Sequence, residues 1–376
     1  MIDAASVIFF VFLVGGAFTV VEETGALRQA VAALVLAVGD RGALVIPIVS
    51  IAFATAGALE NMAEEIIALV PVLMLVTRRL GFDAITGVAI SIGASAIGAA
   101  FSPINPFQVQ IAQKVAGLPL LSGWQFRTLV LAVALGIWIA WTWRHAMRTR
   151  RAPETGDVAV TSLPPRMTLV LAIVIATFAV FIYGVIRLGW DFDQMAALFF
   201  AMGLIAGFAG GLGAGGTAQA FVNGFGSMAY AAMLIGFARA IFVALDQGRV
   251  VDTIVNGLVA PLQHLPVVAC AIGMMAVQAI VHFPVPSVSG QAVLTMPLLV
   301  PVSDLIGLSR QVTVLAFQYG AGLTELVTPT NGAIVAVAAA SGVKFGDWLS
   351  FAVPIYLLML VFSALAVALA IAVHLA

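Results

Sequence analysis

Long apolar runs recur along this chain of 376 residues, and they are long enough to cross a lipid bilayer as helices. A bilayer core of about 30 Å requires about 20 consecutive apolar residues in helical form. Because lipid offers no hydrogen-bond partner, a spanning segment must satisfy its own backbone groups, which a helix does within itself. The runs are continuous and do not alternate in polarity, as a transmembrane barrel strand would. The sequence therefore predicts an all-α polytopic membrane protein.

Composition narrows the classes of partner and cofactor. Hydrophobic residues make up 62% of the chain and charged residues 9%, which excludes a soluble globular domain. The net charge of −1 gives no support for a nucleic-acid partner, and we expect none. The single cysteine, Cys270, excludes an internal disulfide and a cysteine metal cage. We expect no cofactor other than a coupling ion, for which Na⁺ is a candidate.

The orientation of the chain follows from one basic segment, residues 144–166. Its first part, residues 144–151, carries four arginines, so the positive-inside rule places the segment on the cytoplasmic side of a cytoplasmic (inner) membrane. Counting crossings from this loop puts both termini outside, and an outside N-terminus after so short a lead predicts that a further span precedes it. The predicted spans, some of them interrupted, are 4–21, 84–117, 125–143, 167–187, 193–210, 229–246, 309–343 and 348–373. Two further apolar stretches, 42–79 and 265–306, each break near the middle at polar residues.

An internal repeat appears when the chain is shifted by 226 residues, a difference that places Pro71 on Pro297 and Gly81 on Gly307. The same shift places the tetrapeptide 102–105 (Ser-Pro-Ile-Asn) on 328–331 (Thr-Pro-Thr-Asn). Five predicted crossings separate the copies, and an odd number makes them run in opposite directions, as in many secondary transporters. The predicted domains are a first inverted repeat (1–123), connecting helices (124–228) and a second inverted repeat (229–376).

Each copy contains two polar islands in apolar surroundings. The stretches 42–79 and 265–306 begin and end on the same predicted side, so we interpret them as re-entrant helical hairpins with tips at ALENMAEE and PVPSVSGQA. The stretches 84–117 and 309–343 are interrupted by FSPINPF and VTPTNGA, where proline removes a backbone donor. We expect tips and breaks to converge near the midplane, because broken helices are tolerated there only around a cavity or ligand.

The polar side chains of these islands are candidate ligands. Ser102, Asn105, Thr328 and Asn331 are the oxygen-bearing types that bind Na⁺, and Asn61 adds an amide at the first tip. A charged side chain at mid-membrane costs about 2.5–3.5 kcal/mol on insertion scales, which favours a functional role for Glu64 and Glu65. Alternative readings remain open: prolines and glycines as kinks, Glu60 or Glu64 as helix caps, and Gln318, Glu325 and His282 as structural packing groups.

The blocks 61–107 and 286–332, which end in SPINPF and TPTNG, resemble the YfcC-like branch of the C4-dicarboxylate anaerobic carrier family, within the ion transporter superfamily. The resemblance implies a homodimer in which a mobile transport domain moves against a scaffold in an elevator motion. It also implies that tips and breaks hold substrate and coupling ion. By position these residues are Glu64, Glu65, Ser102, Asn105, Ser287, Ser289, Gln291, Thr328 and Asn331.

The expected function is secondary active transport of a small polar metabolite, coupled to Na⁺ or H⁺. The islands contain glutamates and no arginine or lysine, and the nearest arginines, Arg78, Arg79 and Arg310, lie towards the hairpin bases. This charge favours an amino acid, basic ones first, over the alternative of a C4-dicarboxylate. A membrane-embedded enzyme using Glu64 and Glu65 is the rival class, but no cluster of His, Cys or Asp partners accompanies them, so we expect no enzyme.

Overall fold

A computed structural model describes residues 5–27, 29, 39–63, 66, 70–151, 164–188, 190, 192–249 and 265–375. These residues form helices and no strand, so the predicted all-α class is confirmed for the described part of the chain. By length and composition, five described helices can cross a membrane: Gly42–Glu60, Trp124–Thr149, Phe192–Gly210, Val288–Leu305 and Phe345–Ala372.

The described helices are numbered here in chain order. They are α1 (Ala5–Glu23), α2 (Val45–Glu60), α3 (Val70–Arg79), α4 (Ala84–Ala100), α5 (Pro106–Gln110, continued by Ile111–Val115), α6 (Trp124–Thr149), α7 (Pro165–Leu188), α8 (Phe192–Gly210), α9 (Gly213–Gln247), α10 (Val267–His282), α11 (Val288–Leu305), α12 (Arg310–Thr324), α13 (Gly332–Ala340) and α14 (Phe345–Ala372).

The chain divides into two compact units. Helices α1, α7 and α8, with α9 up to residue 240, belong to the first unit. Its core is aromatic: the rings of Phe10 and Phe192 stack with centroids 4.6 Å apart. Gly203 allows α8 to approach α1 closely, because an added Cβ there would lie 2.9 Å from Ala17 Cα. None of the candidate site residues belongs to this unit.

The second unit repeats one order of elements. Helices α2 and α3 are joined by tip 1 (residues 61–69), and α4 and α5 by break 1 (101–105). Helices α10 and α11 are then joined by tip 2 (283–287), and α12 and α13 by break 2 (325–331). The predicted interruptions of both stretches are therefore present where the proline-containing motifs lie.

The start of α4 is fixed by Asp83. Its carboxylate accepts from the Thr86 backbone N–H at 2.9 Å, which caps the helix. The other carboxylate oxygen lies 2.9 Å from His145 Nε2 of α6. Burial raises the pKa of Asp83, but hydrogen bonds from His145 and Thr86 outweigh that effect and lower the pKa to about 2. The charged cap thus ties the beginning of the broken helix to α6.

A π-helical turn at Ala89–Gly93 interrupts α4. A π turn displaces the regular hydrogen bonds and leaves backbone groups to be satisfied elsewhere. Trp138 of α6 meets this need, because its buried indole Nε1 donates to the Ala89 carbonyl at 3.1 Å. The side chain of Trp138 also packs on Gly93, where an added Cβ would lie 2.4 Å from the ring.

Glycine sets the distance between the hairpin helices and the broken helices. An added Cβ on Gly57 of α2 would lie 2.1 Å from the Ser95 carbonyl oxygen of α4. An added Cβ on Gly98 of α4 would lie 1.9 Å from the Ala54 carbonyl oxygen of α2. The two backbones therefore touch, as small residues permit in membrane helix packing.

Gly98→Ala tests this packing. The new methyl group would collide with backbone, which cannot rotate away, so we expect thermal unfolding in detergent to reveal a loss of about 1–3 kcal/mol. Gly136→Ala in α6 is the matched control, because no heavy atom lies within 4 Å of its added Cβ. Equal stability of the two variants would contradict the close approach of α2 and α4.

Candidate functional site

Break 1 is held by the two side chains that the repeat predicted. Ser102 Oγ donates to the Ala58 carbonyl at 2.7 Å and accepts from the Asn105 N–H at 2.8 Å. Asn105 Oδ1 accepts from the N–H groups of residues 107 and 108, each at 2.9 Å, and so caps α5. Its Nδ2 donates to the Gly57 carbonyl at 2.9 Å. Both side chains are fully buried and join the break to α2.

Asn61 connects tip 1 to the second half of the first broken helix. Its backbone is left-handed, with φ of 63°, a conformation that asparagine tolerates better than most residues. Its N–H donates to the Gly57 carbonyl at 2.9 Å, which closes the end of α2. Its Oδ1 accepts from Gln108 Nε2 at 2.7 Å. The tip therefore begins at a fixed position relative to α5.

Break 2 uses the same residue types in a different arrangement. Asn331 Oδ1 caps α13 by accepting from the N–H groups of Ala333 and Ile334 at 3.1 and 3.3 Å. Thr328 Oγ1 donates to the Thr324 carbonyl at 2.6 Å, within its own helix end. The bond to the hairpin comes from Thr330, whose hydroxyl donates to the Phe283 carbonyl at 3.1 Å in tip 2.

A small cleft brings tip 1 and break 2 together. It joins the amides of Asn61 and Asn331 with the carboxylate side chain of Glu325, the residue that caps the end of α12. Ser95 donates to the Met62 carbonyl and so holds the tip at the cleft wall. The cleft is lined by residues 61–63, Ile92, Ser95, Ala96, Glu325, Asn331 and Ile334.

The two glutamates expected at tip 1 lie outside the described residues. Glu64 and Glu65 directly follow Ala63, which lines the cleft. Their role as substrate ligands therefore stays a prediction. Of the remaining candidates, Asn61 and Asn331 share the cleft, whereas Ser102, Asn105 and Thr328 are buried in the helix breaks and do not line it.

Tip 2 presents hydroxyls, but its predicted residues do not belong to the cleft lining. Ser287 caps α11 by accepting from the Gly290 N–H at 3.3 Å, and its oxygen lies 3.4 Å from that of Ser289. Gln291 is fully buried, and its amide is bound to Gln278. In this arrangement Gln291 positions neighbouring side chains.

Arg127 of α6 is a residue that the sequence analysis overlooked. Its guanidinium is fully buried and donates to Gln318 Oε1 at 3.2 Å, to Gln311 Oε1 at 3.1 Å and to the Ser122 carbonyl at 2.6 Å. Gln318 Nε2 in turn donates to the Ser102 carbonyl at 2.8 Å. A basic residue thus lies two hydrogen bonds from break 1. The sequence feature that could have indicated it is a lone arginine at the start of an apolar span, a position where charged residues are rare.

Comparison of the sequence with known proteins matches it to a family of membrane carriers. Residues 1–372 match the family described as C4-dicarboxylate anaerobic carrier, DcuC. The chain is 34% identical over 389 residues to YfcC of Escherichia coli (strain K12), provisionally named a basic amino acid antiporter. This match covers 97% of the chain and 77% of YfcC. The protein is therefore a multi-pass membrane transporter. It belongs to the C4-dicarboxylate anaerobic carrier family, and the identity supports the YfcC-like branch.

Two solved transporters share the fold. YdaH of Alcanivorax borkumensis gives a TM-score of 0.78 at 17% identity, covering 98% of this chain and 85% of that one. MtrF of Neisseria gonorrhoeae, described with a class of antimetabolite efflux pumps, gives 0.70 at 15% identity, covering 96% and 80%. At these identities the likeness concerns the fold alone.

The two asparagine caps differ in their expected contribution to stability. Asn105→Ala removes the cap of α5 and leaves the Gly57 carbonyl without this donor, so we expect a loss of about 2–3 kcal/mol. Asn331→Ala removes only the cap of α13 among the bonds described above and should cost about 1 kcal/mol. Thermal unfolding of both variants in one detergent checks the order, and a reversed order would contradict it.

The Arg127 connection predicts a second stability effect. Gln318→Leu takes one acceptor from a buried guanidinium and one donor from the Ser102 carbonyl, and we expect a loss of about 2–4 kcal/mol. Gln219→Leu is the control, because that amide bonds to Asn223 on an exposed helix face. If the Gln318→Leu protein unfolds at the same temperature as the control, the guanidinium of Arg127 is satisfied without Gln318.

Proposed function

We propose that this protein is a secondary active transporter of the cytoplasmic (inner) membrane that moves a small polar metabolite, coupled to Na⁺ or H⁺. The observation that carries the proposal is the cleft between tip 1 and break 2, where polar side chains meet the ends of a broken helix inside an apolar unit. Substrate sites of secondary transporters are commonly built from such half-helix ends.

The charge of the cleft supports an amino acid as substrate. Glu325 follows α12, whose C-terminal carbonyls carry partial negative charge, so this end of break 2 favours a cation. The other end is the N-terminus of α13, capped by Asn331, where N–H groups favour an anion. An amino acid has both groups, and the acidic side favours basic ones such as arginine or ornithine.

A C4-dicarboxylate is the alternative substrate, and the family description supports it. A dianion in the cleft would be repelled by Glu325, and by Glu64 and Glu65 if they face the cleft. Bound cations would have to offset this repulsion. Arg127 does not supply that compensation in the cleft, because its described partners are Gln318, Gln311 and the Ser122 carbonyl. The provisional name of YfcC supports the amino-acid reading.

Sodium fits the two breaks unequally. Ser102 Oγ donates one hydrogen bond and accepts two, from the N–H groups of residues 104 and 105, so its lone pairs are engaged. Thr328 Oγ1 donates to the Thr324 carbonyl and keeps its lone pairs free of any described donor. If Na⁺ is the coupling ion, Thr328 is therefore a better ligand than Ser102. Asn105 and Asn331 do not differ in this respect, because each uses its side-chain oxygen to cap a helix.

The proposal extends to assembly and motion. By analogy with the family, we expect a homodimer in which the second unit carries substrate across the membrane as an elevator. Both tips and both breaks belong to that unit, whereas the first unit contains neither. The inverted orientation of the repeats and the external position of both termini complete this proposal. A membrane enzyme using Glu64 and Glu65 is disfavoured, because the family consists of carriers.

Uptake into liposomes tests the function and the substrate together. Purified protein should accumulate labelled arginine or ornithine under an ion gradient, and unlabelled basic amino acids should compete better than succinate or fumarate. Stronger competition by succinate would favour the dicarboxylate alternative. No uptake of any amino acid or dicarboxylate under either a Na⁺ or a pH gradient would refute the transporter proposal.

Glu325→Gln separates the charge argument from general damage. The variant keeps the size of the side chain but removes the carboxylate, so we expect KM for a basic amino acid to rise at least about tenfold, the equivalent of 1.4 kcal/mol. Glu23→Gln is the control, since its carboxylate lies in the first unit and bonds to Asn223 at 2.9 Å. Equal KM values in both variants would contradict a role for Glu325 in recognition.

A further inference from the structure

A buried amide network joins the end of α10 to the beginning of α11. Gln291 Nε2 donates to the Gln278 backbone carbonyl at 2.8 Å and to its Oε1 at 2.5 Å. Thr295 Oγ1 accepts from Gln278 Nε2 at 2.8 Å and donates to the Gln291 carbonyl at 2.9 Å. His282, Gln278 and Gln291 have no exposed surface. The orientation of each amide is therefore determined by its neighbours.

This network fixes the tautomer of His282. A backbone carbonyl can only accept, so the amide nitrogen of Gln291 must face Gln278 and its oxygen must face His282. His282 Nδ1 lies 3.1 Å from that oxygen and must carry the hydrogen. In a neutral imidazole the other nitrogen, Nε2, then has a free lone pair. This Nε2 is buried and has no hydrogen-bond partner among the described residues.

The position of His282 connects it to the moving parts of the proposed site. It is the last residue of α10, and the next residue, Phe283, begins tip 2. The Phe283 carbonyl accepts from Thr330 of break 2, the segment that also contributes Glu325 and Asn331 to the cleft. A change of charge at His282 therefore acts one residue from a contact between tip 2 and break 2.

We infer that His282 is the proton-binding residue of this transporter, taking one proton onto Nε2 from one side of the membrane and releasing it to the other. The inference rests on the proposed transport function. Protonation turns a buried acceptor into a cationic donor that has no described acceptor, which is costly in an apolar interior. The protonated form therefore favours an arrangement in which tip 2 has moved and supplied an acceptor or water. Proton occupancy and tip position are coupled in this way.

In the arrangement described, no ionisable side chain of the described residues is hydrogen-bonded to His282 Nε2. Helices α11, α12 and α14 pack on α10. None of their titratable side chains within the described ranges is hydrogen-bonded to either ring nitrogen of His282. Asp304 and Arg310 pair with each other at 2.7 Å. The titratable side chains on these helices are Asp304 on α11, Arg310, Tyr319 and the terminal Glu325 on α12, Asp347 and Tyr356 on α14, and Cys270 on α10 itself.

The first test observes the imidazole directly and needs no substrate. The chain has four histidines, so nitrogen-15 histidine spectra of the full chain in lipid nanodiscs can be assigned by the signal lost in His282→Asn. We expect the Nδ1–H tautomer near pH 8 and reversible protonation as the pH is lowered over the range in which the chain stays folded. An imidazole that stays neutral throughout that range, or that carries its hydrogen on Nε2, overturns the inference.

The second test measures coupling in liposomes with labelled arginine and the competitor panel. His282→Asn keeps a donor at the Nδ1 position for Gln291 but has no atom at Nε2, whereas His282→Gln places its amide near Nε2 and loses the Nδ1 donor. We expect His282→Asn to lose pH-gradient-driven accumulation by at least about tenfold, far more than it loses solute exchange. His374→Asn, at an exposed histidine, is the control.

The outcomes separate this inference from the proposed function. A structural histidine predicts that His282→Asn stays coupled, because the bond to Gln291 is kept. Wild-type accumulation driven by Na⁺ alone also overturns the inference while the transporter proposal stands. If wild-type protein moves no solute, the transporter proposal fails, and the nitrogen-15 titration still decides whether His282 binds a proton.

Discussion

The second unit depends on satisfying backbone hydrogen bonds where two helices are broken inside an apolar environment. Each break exposes N–H and C=O groups that lipid cannot bind. Asn105 and Asn331 meet this demand by capping the next helical segment with their side-chain oxygens. The breaks can therefore be buried, and polar side chains of tip 1 and break 2 line the cleft.

The two breaks have diverged in how they are anchored. At break 1, Ser102 and Asn105 bond to the backbone of α2, and Gln318 binds the Ser102 carbonyl. Break 2 bonds to tip 2 through Thr330, while Thr328 bonds within its own helix end. The described bonds of break 1 thus reach α2 and Gln318, whereas that of break 2 reaches tip 2, and break 2 also lines the cleft.

The sequence predicted the helical class and both breaks, because apolar runs and proline-containing motifs determine local structure directly. It also placed Asn61 and Asn331 at the polar centre. It predicted that tips and breaks would converge, but not that tip 1 would share a cleft with break 2, since that pairing depends on tertiary packing. Arg127 was missed because it lies outside the polar islands in sequence, and only the tertiary structure brings its guanidinium on α6 to Gln318 on α12.

The distribution of charge follows from this divergence. A buried guanidinium is tolerated only where acceptors surround it, and Arg127 obtains them from two glutamines and a backbone carbonyl. Its positive charge lies on the side of break 1, whereas Glu325 lies on break 2. Arg127 is therefore occupied by its own acceptors, and of the two charged groups only Glu325 lines the cleft. Under the proposed transport function, we expect the cationic group of an amino-acid substrate to face Glu325.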